Sequence, residues 1–268
     1  MTKRIFCVAR ACVMTLALPI MSCAAAAPPP APARAVTKPA KAVVAKQTTP
    51  PTRKSELARF DENRASTFRI DVTREGRPGG HGTGTVISTE GHLLTAYHVV
   101  NDEKAMFTIV MDEAGKSTPT TYPAKVVAFD SDDDIAVIKI ERRFLVTAVL
   151  EDVRNVRVGD SVYNIGYPYM FGVMVGRGYI MKMHYALRRP TKTELEDTML
   201  LNIPDGSGTS GSGVFAESNG RLIGVMRVMF WVQSGNEPPL VVKAITPTDH
   251  VIRLLDKNHI PYSLGESP

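Results

Sequence analysis

Cysteine is nearly absent: the 268 residues contain three, Cys7, Cys12 and Cys23, all within the first 23 positions. The rest of the chain has neither disulfide partners nor a thiol nucleophile, which excludes a disulfide-stapled scaffold and thiol-based catalysis. Long apolar runs are also missing, and the one from Ala11 to Met21 is too short to cross a bilayer permanently. No zinc-ligand spacing and no glycine-rich phosphate loop occurs, so no metal or organic cofactor is expected. The serine-rich stretch near residue 210 has no Gly-x-Ser-x-Gly elbow, the turn on which one large class of α/β enzymes depends.

Acidic residues are absent from the first 54 positions, which hold nine Lys and Arg. The formal charge of +5 therefore misleads, because from Ser55 onward 23 basic residues stand against 27 acidic ones. Basic character confined to a leader and a linker is not the footprint of a nucleic-acid surface, and no nucleic-acid-binding motif is present. Lys3 and Arg4, the apolar run and the small residues Ser22 to Ala27 read as an export signal over residues 1–23. Ile20-Met21-Ser22-Cys23 is similar to a bacterial lipobox with Cys23 as the acylated residue, whereas Ala24 to Ala27 suits ordinary cleavage. Lipid attachment at Cys23 and soluble export into the cell envelope both stay open. Residues 24–54, rich in Ala, Pro and Lys, bury too little to fold and read as a linker.

What is present after residue 55 is strand upon strand. A short helical turn is expected at Leu57 to Asn63, then strands at Thr67 to Val72, on both sides of a turn at Thr89 to His92, and at Met106 to Met111, Thr121 to Ala128 and Ile135 to Ile140. Gly76 to Gly80 reads as a loop. A second set of strands begins near Val156. Two sets of comparable length predict an all-β domain over residues 55–268, with one barrel at about 66–150 and another at about 156–250. Pro247-Thr248-Asp249 before HVIRLLDK predicts a capped helix at about 248–258. Met181, Met183, Met226 and Phe230 read as strand-face packing rather than a ligand box.

Chemistry concentrates at Gly206 to Phe215, GSGTSGSGVF, a loop able to present one serine and bare N–H groups. A serine hydroxyl needs a base within reach and a carboxylate to orient that base. Among six histidines His98, after Thr95-Ala96-Tyr97 at a strand end, is the candidate base. Asp134, directly before IAVIKI, is the candidate orienting acid, with Asp133 one register away. Ser210 is the candidate nucleophile, with Ser207 and Ser212 as rivals and with the N–H groups of Gly208 and Ser210 facing a developing oxyanion.

The order histidine, aspartate, serine resembles that of the trypsin-like, chymotrypsin-fold serine proteases. Within them, GTGTVIS, HLLTAYHVV, DDDIAVIKI, VRVGDSVYNIGYP and GTSGSGVF are similar to segments of the bacterial HtrA or Deg-type group. The resemblance covers roughly Gly82 to Val251. It implies two perpendicular six-stranded β-barrels with His98, Asp134 and Ser210 in the cleft between them, and an exported endopeptidase acting on proteins or peptides through an acyl-enzyme. It also implies a side-chain pocket near Ile203, Pro204, Asp205, Val225, Met226 and Arg227, where Met226 and Val228 suggest an apolar lining and Arg227 or Lys243 could recruit an acid. Thr209 departs from the family's aspartate or asparagine, Ser212-Gly213 from its Gly-Pro, and no PDZ module is expected after the closing helix. These departures keep a second reading open, a catalytically silent protease-fold module that binds peptides or a partner, or an envelope lipoprotein's interaction head.

Overall fold

The chain turns back on itself first at Glu75-Gly76, where two successive residues take positive φ (48° and 76°) and Arg74 pairs directly with Arg77. Such a two-residue turn matches the twist of the strands it joins. Gly76 to Gly80, expected as a loop, is therefore mostly strand: once the turn is this tight, Arg77 to Gly80 lie opposite Val72 to Arg74 and complete the ladder across a bulge. The computed structural model describes residues 53–112, 116–187, 196–232 and 240–265. The export signal, Cys23 and residues 24–52 of the linker lie outside the described residues.

Helix α1 (Arg53–Ala65) precedes the first barrel, whose strands are β1 (Thr67–Arg74), β2 (Arg77–Val86), β3 (His92–Ala96), β4 (Ala105–Met111), β5 (Thr120–Asp130) and β6 (Ile135–Lys139). They close in the order β1-β2-β3-β6-β5-β4. The one-turn helix α2 (Tyr97–Val100) follows β3. Beyond the short β7 (Val149–Leu150), the second barrel uses β8 (Ser161–Gly166), β9 (Met174–Leu187), β10 (Glu196–Asn202), β11 (Gly213–Ala216), β12 (Leu222–Val232) and β13 (Leu240–Pro247). The order β11-β8-β9-β10-β13-β12 closes into a ring because β12 also pairs with β11. Helix α3 (Thr248–Lys257) and β14 (Ser263–Leu264), parallel to β7, end the described chain. The fold is the chymotrypsin-like pair of six-stranded barrels that the sequence predicts.

The period-two alternation of strands decides how the barrels meet. On β6, Ala136 and Ile138 point into the first barrel's core, and Ile135 and Val137 point the other way into a shared core. β3 divides similarly, Leu93 inward and Leu94 outward. The shared core joins those outward residues to Tyr163, Ile165, Phe215 and Leu222 of the second barrel and to Val251, Leu254 and Leu255 of α3. The three α3 residues fall at helical spacing on one face. Strands buried on both faces read as continuous apolar runs, as IAVI does. Met183 and Met226 pack with the second barrel's core, and Met181 and Phe230 with a smaller cluster around Leu200. Helix α3 begins where expected, but no side chain caps it: Thr248 is wholly buried and its hydroxyl donates to the Glu151 carbonyl at 2.7 Å.

Candidate active site

β3 and β6 pair so that Ala96 lies opposite Ile135. His98, two residues after one strand, and Asp134, one residue before the other, thus emerge at the same end of the ladder. Asp134 has φ +53°, a left-handed conformation that aspartate tolerates better than bulky residues do. The turn lets its carbonyl accept the N–H of Tyr97 at 3.1 Å. The carboxylate holds His98 at two points: Oδ1 accepts the backbone N–H at 2.9 Å and Oδ2 lies 2.9 Å from ring Nδ1. An ionised carboxylate only accepts, so Nδ1 is the donor in this contact, and in the neutral ring Nε2 is left with the lone pair. The Asp134 side chain is 3% exposed and that of His98 is 40% exposed, which leaves the ring open on one side.

The serine loop is fixed from both barrels. Thr83 of β2 donates its N–H to the Ser210 carbonyl at 2.9 Å and its hydroxyl to the Gly208 carbonyl at 2.8 Å. Gly211, with φ +85°, donates to the Met226 carbonyl at 2.8 Å. Across a trans peptide the N–H points opposite to the C=O. The Ser207 carbonyl accepts from Tyr169 N–H at 2.7 Å and the Thr209 carbonyl from Ser212 N–H at 2.9 Å, so the N–H groups of Gly208 and Ser210 point away from those partners. Among the described residues neither N–H has a protein acceptor. Gly208 has φ +105°, and a Cβ there would collide with His81 Nε2 and the Tyr167 carbonyl. Thr209 turns its hydroxyl back to the Gly206 carbonyl at 2.8 Å, closing the loop without an acid at that position.

His98, Asp134 and Ser210 line one cleft of about 640 Å³. Among the described residues no hydrogen bond joins Ser210 to His98, a resting separation that substrate binding commonly closes. Ser212 is wholly buried, whereas Ser210, half-buried, and Ser207, exposed, both line the cleft. Asp133 pairs elsewhere, 2.7 Å from Nδ1 of His250.

Of the residues expected at the side-chain pocket, Asp205, Met226 and Arg227 line the cleft, Pro204 lines a neighbouring cavity, and Ile203 and Val225 are packed in hydrophobic cores. Arg227, considered from sequence as a recruiter of acids, has a side chain only 1% exposed. Its guanidinium donates to the Asp132 carbonyl at 2.8 Å and lies with Nε 3.7 Å from Asp134 Oδ2, behind the aspartate. It occupies the bulge between Met226 and Val228 on β12, an irregularity that strand periodicity does not announce. Thr83 and Tyr169 were missed from sequence. The alternation Gly82-Thr83-Gly84-Thr85 carried a trace of the first, since glycines beside buried threonines permit close approach to a loop. Gly213 N–H indeed donates to the Thr85 hydroxyl at 3.1 Å.

A family model, the trypsin-like peptidase domain, matches residues 82–225. The magnetosome formation protease MamE of Paramagnetospirillum magneticum is 31% identical over 152 residues, 56% of this chain and 20% of the relative. A probable periplasmic serine endoprotease, DegP-like, of Rhizobium meliloti is 33% identical over 187 residues, 68% of this chain and 35% of the relative. The chain thus spans about a fifth to a third of the length of these curated relatives. The crystal structure of Deg5 superposes with a TM-score of 0.60 at 25% identity, covering 75% of this chain and 91% of that one. The matched segment runs from the glycine entry of β2, through the histidine and aspartate, to the serine loop and β12, and on that ground the chain belongs to the trypsin-like peptidase domain family.

Proposed function

We propose that the protein is an exported serine endopeptidase that uses His98, Asp134 and Ser210 as a catalytic triad. The observation that carries this reading is the buried Asp134 carboxylate, which grips His98 at both its backbone N–H and Nδ1 while the ring opens onto the cleft shared with Ser210. In that arrangement Nε2 takes the Ser210 proton as Oγ attacks the scissile carbonyl carbon, and Asp134 stabilises the imidazolium that forms. The N–H groups of Gly208 and Ser210 receive the oxyanion, a contribution of about 3 kcal/mol per donor. Collapse expels the amine with the proton from His98 and leaves an acyl-enzyme. Water, deprotonated by His98, then attacks the ester carbonyl, and release of the acid regenerates Ser210. The export signal at residues 1–23 and the periplasmic relative support placement in the bacterial envelope.

The test is labelling by a fluorophosphonate, which reacts where a serine is activated and an oxyanion site exists. Labelling of the wild type is expected, with none in Ser210→Ala and at least about 100-fold slower labelling in His98→Ala. A folded wild type that does not label would overturn the reading.

A further inference from the structure

The cleft floor contains a buried ion pair that the triad does not use. Asp205 precedes the serine loop by one residue. Its Oδ1 accepts the Gly206 N–H at 2.6 Å, and its Oδ2 lies 3.3 Å from Nζ of Lys243. Lys243 projects from β13, where it pairs with Leu201 of β10 and Met229 of β12. The side chains are 8% and 3% exposed, and Asp205 lines the same cleft as Ser210, beside Met226 and Val228. Burial pushes the Asp205 carboxyl above its ordinary range, and the charge of Lys243 and the Gly206 N–H only partly oppose this. The carboxylate is thus a costly group in this place, and Lys243 is the cation that compensates it.

A substrate carbonyl within reach of Ser210 Oγ brings the side chain of the same residue into this cleft. A lysine or arginine there would lose its hydration and find the Asp205 carboxylate already paired, and a glutamate would meet that carboxylate directly. An uncharged side chain meets Met226, Val228 and a neutral pair. We propose that Lys243 is a specificity-determining residue: by occupying Asp205 at the cleft floor it excludes cationic side chains at the residue whose carbonyl is attacked and reserves the pocket for uncharged, apolar ones. The inference rests on the endopeptidase reading for turnover, but its charge logic concerns binding alone.

Two measurements separate these layers. Peptide substrates differing only at the residue before the scissile bond are expected to show wild-type kcat/KM about 100-fold higher for methionine or valine than for arginine. Lys243→Met unmasks Asp205 and is expected to raise the arginine value by at least about 10-fold, a gain that Asp205→Asn in the same variant removes. Calorimetry with benzamidine, an aromatic cation, reads the pocket without catalysis: binding is expected in Lys243→Met and not in the wild type. Wild-type cleavage after arginine as efficient as after methionine would overturn the proposal without any variant. A folded Lys243→Met with an unchanged profile and no benzamidine binding would overturn it as well. If no peptide is cleaved yet benzamidine discriminates as expected, the pocket inference stands and the endopeptidase reading fails.

Discussion

Asp133 and Asp134 are neighbours in the chain and each holds a histidine, yet the two pairs are buried in opposite senses. The Asp134 carboxylate is buried and His98 is 40% exposed, facing the serine loop across a cleft. Around Asp133 the proportions reverse: the aspartate is 19% exposed and His250, on α3, only 7%. His250 is enclosed by Asp133, by Asp197 at 3.7 Å and by Asp249 at 3.9 Å, with Arg253 3.6 Å from Asp133. A histidine–aspartate contact is therefore not itself a catalytic device. What distinguishes the first pair is that the acid is desolvated, the base is open and the serine loop lies opposite, where the N–H groups of Gly208 and Ser210 have no acceptor among the described residues. The second pair joins α3 to the turn that carries Asp134, with Thr246 donating its hydroxyl to the Asp133 carbonyl.

The contrast breaks most directly by exchanging aspartate for asparagine at each position. Asp134→Asn is expected to lower kcat/KM by about 10⁴-fold, because the amide can present a donor to Nδ1 and hold the wrong tautomer. Asp133→Asn is expected to change kcat/KM by less than about 10-fold, its loss appearing in the urea midpoint instead. Equal kinetic losses in both variants would erase the distinction. Next in size is Gly208→Ala, which places a Cβ against His81 and the Tyr167 carbonyl at a φ of +105°. Displacement of this proposed oxyanion donor is expected to slow fluorophosphonate labelling by about 100-fold, as measured on protein whose fold is verified by circular dichroism.

The smallest effect is the pH dependence of the second pair. Burial pulls the His250 pKa down, but the hydrogen bond and charge of Asp133 and the charge of Asp249 outweigh it, so the net shift is upward from 6.5. Burial raises Asp133, and the hydrogen bond and charge of His250, followed by the charges of Arg253 and Arg227, more than reverse it, for a net shift downward from 3.8. A raised histidine contributes stability that is fully present below pH 6.5 and lost as pH rises through its folded value. A lowered aspartate contributes stability present above pH 3.8 and lost as pH falls through its folded value. The pair therefore supports the fold most between these limits. His250→Gln is expected to flatten the decline of the urea midpoint as pH rises above 6.5. An equally steep decline in the variant would assign the dependence to other groups.

Legibility in the sequence followed how local each cause is. The strands of both barrels were readable because burial on one or two faces leaves a pattern in the residues themselves, as in TFRIDV and IAVIKI. Arg77 to Gly80 was not, since its strand state comes from the Glu75-Gly76 turn and the partner Val72 to Arg74 rather than from apolar alternation. Thr248 showed the same limit in reverse: its position suits a cap, but a carbonyl from the distant Glu151 takes its hydroxyl. The residues nominated for catalysis were read from order and context. Their neighbours Thr83 and Tyr169 were not, and Arg227 was read as a recruiter of acids rather than as a group behind Asp134, because each acts on the site from elsewhere in the chain.

The sequence by itself determined the class of fold, the family and a short roster of chemical candidates, because strand periodicity, glycine placement and residue order are properties of the chain alone. Tertiary structure decided which aspartate faces which histidine, that Ser207 and Ser210 but not the buried Ser212 line the cleft, where Arg227 lies and that Lys243 meets Asp205. Those outcomes depend on the direction of side chains from strands far apart in sequence. A bulge or a single residue of positive φ resets that direction, and no local pattern records it.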